Sequence, residues 1–279
     1  MVNIVTDSTA DLSEELVQRF GIKVVPLWVH ISGQSYQDGV DIDRNLLFSL
    51  VEKCGELPKT AAATIPEFTE VFQTAEESLY VGISSKFSSS VPNAILANEA
   101  LQPDHKAFVV DSLNLSTGIG LLAVKAAELR DKGLSAQAIQ EELKTWVPRV
   151  RTSFVIDTLD YLYMGGRCSA MENVVGSLLK IRPVIYVKPD GTMGVKEKIR
   201  GSRKKSLDSM LEDFKKRLPQ IDLQRVFITH TGCDADAVYL AEELKKMADI
   251  QEICITYAGC VIASHCGPNT IGILFFAND

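Results

Sequence analysis

The chain has 279 residues, which is enough for one large or two medium-sized domains with sizeable hydrophobic cores. Its composition, 46% hydrophobic and 23% charged, is ordinary for a soluble globular protein. A net charge of -7 argues against nucleic acid or an anionic membrane as the main partner, and no apolar run reaches the roughly 18 to 20 residues needed for stable membrane insertion.

The first half of the chain alternates predicted strands and helices. The predicted strands cover residues 2–5, 23–31, 79–83 and 107–110. The predicted helices cover residues 13–20, 43–53, 64–78, 92–101, 116–131 and 135–147. Asp43 is a candidate N-cap, Gly21 and Gly55 are candidate C-terminal stops, and Thr64 to Glu67 matches a capping box. This alternation predicts a parallel sheet with helices on both faces.

The second half has a different pattern. Predicted strands cover residues 153–157, 184–187, 193–199, 225–229, 252–256 and 270–276, and predicted helices cover 169–180, 203–218 and 235–247. Residues 161–167 (YLYMGGR) are predicted as a glycine turn. The Pro189-Asp190-Gly191 segment joins two strands as a hairpin, which requires antiparallel pairing. We therefore predict a second α/β domain with a mixed sheet, a boundary at 148–152, and domains of residues 1–150 and 151–279.

The cysteines and the N-terminal segment predict a cytoplasmic protein. Six cysteines occur without a C-x-x-C pair, a pattern typical of reduced thiols and not of a disulfide framework or a zinc site. Residues 1–12 become polar after five residues, so no N-terminal signal is predicted. A basic cluster at residues 196–205 is either a solvated helix face or a docking patch for an acidic partner.

Hydroxyl-rich turns follow three of the predicted parallel strands, at residues 7–9, 84–90 and 111–112. Ligands of parallel sheets bind at the carboxyl ends of the strands, so these turns predict a polar crevice. Thr60 precedes a capped helix, and Ser88 and Ser89 precede another, so their hydroxyls lie near free backbone N–H groups that suit a carboxylate or phosphate. Capping alone explains one hydroxyl in each place, but not the whole set.

Three further side chains are candidates for the same site. Arg167 and Arg200 suit bidentate contact with a carboxylate or phosphate, or else form surface ion pairs. Residues 261–276 are predicted as two apolar strands around a Gly267-Pro268 turn, with His265 at the rim of a sheet and not inside a helix. The alternative for His265 is a structural imidazole bonded to backbone. Cys266 is not predicted to pair with His265, since neighbours on a strand point to opposite faces.

Motifs for other chemistry are absent or fail on context. Gly118, Gly120 and Ala123 fit G-x-G-x-x-A, but they follow the fourth strand by several residues and no acidic strand end comes about 20 residues later. Close helix packing accounts for them better. No P-loop, G-x-S-x-G or H-E-x-x-H sequence occurs. Asp7 and Asp111 end predicted strands, and the sequence alone does not distinguish a helix cap from a metal ligand at either position. We predict no cofactor, no metal and no catalytic residue.

The combination of motifs resembles the DegV family over essentially the whole chain. The matching segments are TDSTADL (6–12), PKT (58–60), SSKFS (84–88), DS (111–112), LYMGGR (162–167), K-IRPV (180–184), the DG hairpin with K-IR (198–200), and HCGP (265–268). The resemblance implies a two-domain fold, with an N-terminal three-layer α/β/α domain containing a parallel sheet and a C-terminal two-layer α/β domain containing a mixed sheet.

The resemblance also implies a function. Family members bind a long-chain fatty acid between the domains and present its carboxylate to a separate ATP-dependent fatty acid kinase, which makes the acyl phosphate. Carried over to this chain, Thr60, Ser88, Ser89 and His265 hold the carboxylate. Arg167 and Arg200 lie near the head group or on the kinase-facing surface.

Two other functions stay open at this point. One is the substrate subunit of a dihydroxyacetone-kinase-like enzyme, which binds a small ketone through histidine, and the other is a lipid sensor without a kinase partner. The chain also departs from the family pattern. Residues 61–63 are all alanine where Ser-Gln-Pro is usual, Ser88-Ser89-Ser90 stands for Ser-Gly-Thr, and Asn269 stands for glycine. These departures together predict one head-group donor fewer.

Overall fold

The computed structural model describes residues 2–167 and 181–278. Its strands, in chain order, are β1 (Asn3–Asp7), β2 (Ile22–Val25), β3 (Trp28–Ile31), β4 (Gln34–Gln37), β5 (Lys59–Ala61), β6 (Glu77–Gly82), β7 (Lys106–Asp111), β8 (Val150–Val155), β9 (Ile181–Val187), β10 (Met193–Arg200), β11 (Ile221–His230), β12 (Glu252–Tyr257) and β13 (Ile271–Ala277).

The helices of the described residues are α1 (Glu14–Phe20), α2 (Arg44–Cys54), α3 (Ile65–Phe72), α4 (Ser90–Glu99), α5 (Thr117–Asp131), α6 (Ala136–Trp146), α7 (Asp160–Met164), α8 (Arg203–Arg217), α9 (Asp234–Met247) and α10 (Cys260–Cys266). Three of the sequence signals act as expected. Asp43 caps α2, Thr64 and Glu67 form a reciprocal capping box on α3, and Gly21 ends α1 with a left-handed φ of 56°. The predicted helix 169–180 lies outside the described residues.

A four-stranded parallel sheet forms the first half, in the order β2-β1-β6-β7. All five residues of β1 are buried, as a strand covered on both faces requires. One hydrophobic cluster on this sheet involves α1, α5 and α6, and a second involves α2, α3 and α4. The mixed α/β architecture predicted from the alternation is therefore confirmed.

The second half forms a six-stranded mixed sheet in the order β10-β9-β8-β13-β11-β12. Its pairs are antiparallel except for β11 with β12, and the predicted hairpin is β9–β10. Helices α8 and α9 cover one face of this sheet. Helix α5 packs against β8, β11 and β13 as well as against the parallel sheet, so it lies between the two sheets. The division at residue 150 stays a prediction, and β8 begins at that residue.

Several elements near the site differ from the sequence prediction. The predicted strand 23–31 is two strands, because Pro26 interrupts the run; β3 leaves the parallel sheet and pairs antiparallel with β4 and β5. The prediction that α3 extends to residue 78 was wrong, since the helix ends at Phe72 and β6 begins at Glu77. The predicted glycine turn at 161–167 contains most of the short helix α7 before its two glycines.

The prediction that His265 lies at a sheet rim and not in a helix was wrong, because His265 is the penultimate residue of α10. An apolar run this short does not distinguish a strand from a buried helix by periodicity. Tertiary contacts decide the outcome. Although α10 lies between β12 and β13 in the sequence, it contacts α2, α7, β3 and β5, and Cys260, Val261 and Ala263 belong to the hydrophobic cluster of the first half.

Candidate functional site

A cavity of about 360 Å³ opens where β5, the turn before α4, α7 and α10 meet. This volume lies within the range of small-molecule pockets. The apolar lining comes from both halves of the chain: Leu27, Ile83, Phe87 and Leu115 from the first, and Leu162, Met193, Val261 and Ile262 from the second. The polar lining is grouped in Thr60, Ser88, Ser89, Asn93, Arg167 and His265.

The Thr60 and His265 side chains are hydrogen-bonded across 205 positions of sequence. Thr60 is the middle residue of β5 and pairs with Val29 of β3, which fixes its backbone in the small antiparallel sheet. Its Oγ1 lies 2.7 Å from Nε2 of His265. The two residues predicted from separate motifs are therefore in direct contact at the wall of the cavity.

His265 is uncharged at neutral pH. Burial lowers the pKa of its imidazole to about 4, and the positive charge of Arg167 contributes in the same direction. Its Nδ1 is buried and has no hydrogen-bond partner among the described residues. A buried N–H without an acceptor is costly, so we assign the proton to Nε2, which donates to Thr60. The Thr60 hydroxyl then has its own proton free to donate to a ligand.

Glycine 165 makes this imidazole position possible. A Cβ atom at Gly165 would overlap Nδ1 of His265, and one at Gly267 would lie 2.7 Å from the ring of Tyr161. Gly267 also has a φ of 75°, a left-handed value that favours glycine. The close approach of α7 to the C-terminal end of α10 therefore depends on these two glycines.

The serine turn between β6 and α4 supplies hydroxyls at a helix N-terminus. Ser88 Oγ accepts the backbone N–H of Ser90 at 3.2 Å and lies 2.9 Å from the Ser90 hydroxyl. Ser89, the N-cap residue of the ten-residue helix α4, makes no side-chain capping bond. Both serines line the cavity. The helix dipole and the first-turn N–H groups favour negative charge at this end.

Arg167 brings a cation to the cavity. Its guanidinium donates to the carbonyl of Gly165 at 2.7 Å and to the carbonyl of Phe87 at 3.2 and 3.3 Å. No carboxylate within residues 2–167 and 181–278 forms an ion pair with it, and burial lowers the pKa of the guanidinium. Among the described residues, no carboxylate neutralises this charge at the cavity wall.

Arg200 occupies a different environment. It is the last residue of β10, is exposed, and is not among the residues that line the cavity. The structure thus brings together five of the six residues predicted for the site and leaves Arg200 on the surface. Ala61 and Ala62 line the cavity without offering side-chain donors.

Cys266 also lines the cavity, but its thiol is not prepared for nucleophilic attack. Burial raises the pKa of Cys266 to about 12, so the thiol stays protonated at neutral pH. Adjacent residues of a helix point about 100° apart, and the imidazole of His265 is bonded to Thr60 instead. Cys266 and His265 were predicted not to pair because neighbours on a strand point to opposite faces. Both residues belong to α10, so that reason does not apply.

Two features of the described residues limit other chemistry. No group of three or more His, Cys, Asp or Glu side chains in this part of the chain is arranged to hold a metal ion. No helix within it is long and apolar enough to cross a membrane.

Sequence reasoning missed Asn93, whose amide donates to the carbonyl of Ala63 at 2.8 Å and ties α4 to the segment after Thr60. Its position in the first turn after the serines was the available signal.

Comparison with known proteins identifies the family. The family model described as "Uncharacterised protein, DegV family" matches residues 1–278. The chain belongs to the DegV family. A DegV domain-containing protein of Caldanaerobacter subterraneus subsp. tengcongensis is 33% identical over 278 residues, which cover 98% of each chain.

Two solved DegV structures share the fold over nearly their full length. A DegV family protein from Thermus thermophilus, described as binding fatty acid, has a TM-score of 0.92 and 31% identity, with 99% of each chain covered. DegV from Bacillus subtilis, described as a fatty acid binding protein, has a TM-score of 0.87 and 29% identity, again with 99% of each chain covered. These matches confirm the DegV-like α/β fold expected from the motifs.

Proposed function

We propose that this DegV family protein binds a long-chain fatty acid in the cavity, with its carboxylate at Thr60, Ser88, Ser89 and His265 and with Arg167 close to the head group. The observation that carries the proposal is the composition of the cavity wall, in which apolar side chains from both halves surround one polar group of hydroxyls, a neutral imidazole and a guanidinium that has no carboxylate partner among the described residues. The fatty-acid binding described for the Thermus thermophilus and Bacillus subtilis relatives supports the same ligand class.

The energetics favour an acyl chain over a small polar ligand. Burial of alkyl groups contributes about 0.8 kcal/mol per methylene, so about 14 methylenes contribute roughly 11 kcal/mol before the cost of ordering the ligand. The head group then needs only enough hydrogen bonds to offset its desolvation. The Thr60 hydroxyl, the two serines and Arg167 supply donors of the required kind.

We further propose that the bound carboxylate is presented to a separate ATP-dependent kinase and that this chain carries no catalytic residue of its own. The sequence resemblance supports this part. The exposed Arg200 suits contact with an acidic surface of a partner. A lipid sensor would need the cavity but no kinase-facing surface.

Mass spectrometry of the purified protein tests the ligand class. A co-purified fatty acid at near-stoichiometric amount, retained after gel filtration and lost in Thr60→Val, is the expected result. A small ketone attached to His265 would instead indicate the dihydroxyacetone-kinase-like function. Adding ATP and a cognate kinase to the loaded protein should yield acyl phosphate, and its absence with an active kinase would leave the sensor function.

A further inference from the structure

Two buried carboxylates from the first half of the chain hold the N-terminus of α10. Asp38 accepts the backbone N–H of Cys260 at 2.6 Å on one oxygen and that of Val261 at 3.2 Å on the other. Asp11 accepts the N–H of Gly259 at 2.8 Å and the hydroxyl of Ser116 at 2.6 Å. These are the N–H groups that a helix start leaves without intrahelical partners.

The arrangement leaves little freedom of position. A Cβ atom at Gly259 would lie 2.9 and 3.1 Å from the two oxygens of Asp38 and 3.4 Å from Oδ1 of Asp11, so both carboxylates converge on this glycine. Asp11 and Ser116 have φ values of 51° and 53°, which non-glycine residues rarely adopt. Such backbone strain persists where the surrounding structure determines the conformation strongly.

No cationic partner among the described residues accounts for the burial of the two carboxylates. Within the described chain neither Asp11 nor Asp38 forms an ion pair; Asp38 accepts two backbone N–H groups, and Asp11 accepts one backbone N–H and the Ser116 hydroxyl. The aligned peptide dipoles at the N-terminus of α10 favour negative charge there, whereas burial raises the pKa of both Asp11 and Asp38. If the two carboxylates served only to cap α10, they could form the same hydrogen bonds at the protein surface. Two acidic side chains would then not have to be buried together.

The same helix forms part of the wall of the proposed site, with His265 near its C-terminal end. α10 contributes Val261, Ile262, His265 and Cys266 to the cavity wall, and the helix is only about 10 Å long at 1.5 Å per residue. An axial shift at the N-terminus of α10 therefore moves His265 relative to Thr60, which belongs to β5. The bond of 2.7 Å between them tolerates little displacement.

We propose that Asp11 and Asp38 are positioning residues of the binding site, which fix α10 from the first half of the chain and thereby hold His265 against Thr60. The expected effect of these residues on fatty-acid affinity rests on the proposed function, whereas their expected effect on the position of His265 does not. Neither residue lines the cavity, so any effect on the ligand passes through α10.

Asp38→Ala and Asp43→Ala form a matched pair for the test. Both remove a carboxylate that caps a helix, but Asp43 caps α2, which contributes no residue to the cavity wall. With palmitate as the probe in isothermal titration calorimetry, Asp38→Ala should weaken binding at least tenfold and Asp43→Ala less than twofold. Asp38→Asn keeps one acceptor oxygen and should fall between Asp38→Ala and the unaltered protein.

A second readout needs no ligand. In 15N spectra of the ligand-free protein, the Nε2 resonance of His265 should shift in Asp38→Ala because the bond to Thr60 is lost, and stay in place in Asp43→Ala. Gly259→Ala, which crowds the carboxylates without removing them, should shift the same resonance. If Asp38→Ala does not fold, Asp38→Asn and Gly259→Ala carry the test.

An unchanged His265 resonance in folded variants at positions 38 and 259 overturns the inference, as does an equal loss of palmitate affinity in Asp38→Ala and Asp43→Ala. If the unaltered protein binds no palmitate or other fatty acid, the proposed function fails. The imidazole resonance still decides the positioning role in that case.

Discussion

Replacing Thr60 by valine separates the binding role of its hydroxyl from its structural role. The substitution keeps the branched shape of the side chain and removes one oxygen, which is bonded to Nε2 of His265 at 2.7 Å. The Thr60 hydroxyl donates to the ligand carboxylate in the proposed complex. Because a hydrogen bond to a charged group contributes about 1.5–3 kcal/mol, palmitate affinity should fall roughly 10- to 150-fold.

The same substitution has a separate effect on stability. It leaves the Nε2–H of His265 without an acceptor in the ligand-free protein, so the free energy of unfolding of that form should fall by about 1–3 kcal/mol. Thermal unfolding of the ligand-free protein measures the loss of stability, and calorimetric titration with palmitate measures the loss of affinity. The two quantities should both change in Thr60→Val.

Thr60→Ser is the control, because it keeps the hydroxyl and loses a methyl group worth about 0.8 kcal/mol, or roughly a fourfold change in affinity at most. Palmitate binding by Thr60→Val that matches Thr60→Ser would refute the role of the hydroxyl. A loss of affinity with no loss of stability would refute the assigned proton position on His265.

Three further changes test neighbouring parts of the site. Arg167→Gln removes a charge that has no carboxylate partner in the described chain, so palmitate affinity should fall about tenfold and become less sensitive to salt, as titrations at two ionic strengths will reveal. Gly165→Ala adds a Cβ that overlaps the imidazole of His265, and should abolish palmitate binding while far-UV circular dichroism stays native-like; unchanged binding would contradict the packing argument. The pKa of His265 is lowered from 6.5 to about 4, so between these pH values the unfolded chain binds more protons than the folded protein. The free energy of unfolding should therefore fall as the pH drops from 6.5 to 4, by at most on the order of 3 kcal/mol from this residue. His265→Gln should remove this part of the acid dependence in denaturant titrations, and an identical pH profile in both proteins would show that the imidazole is not buried neutral.

Local chemistry in the sequence was sufficient for most helix boundaries. The caps at Asp43 and Thr64 and the stop at Gly21 act through bonds between residues three or four positions apart, so the printed order of residues contains all the information required. The hairpin β9–β10 is of the same kind, because its turn chemistry is local.

The residue types of the site were also visible in the sequence. Hydroxyls that precede helices mark positions where backbone N–H groups are free, and Ser88 and Ser89 line the cavity beside the start of α4. Thr60 also lines the cavity, but from the middle of β5 and not from a helix start, so the reason predicted for it was wrong. His265 was recognised as a candidate although its secondary structure was predicted wrongly, since its motif, and not its local conformation, carried the inference.

The tertiary structure alone decided how these parts meet. The N–H groups at the start of α10 are accepted by Asp11 and Asp38, which lie more than 200 positions earlier in the sequence. Val261 and Ile262 have modest helix propensity, so an isolated segment would not adopt this form. Contacts over such separations follow from the packing of whole sheets, which residue order does not reveal, and the distance between Thr60 and His265 is one result of that packing.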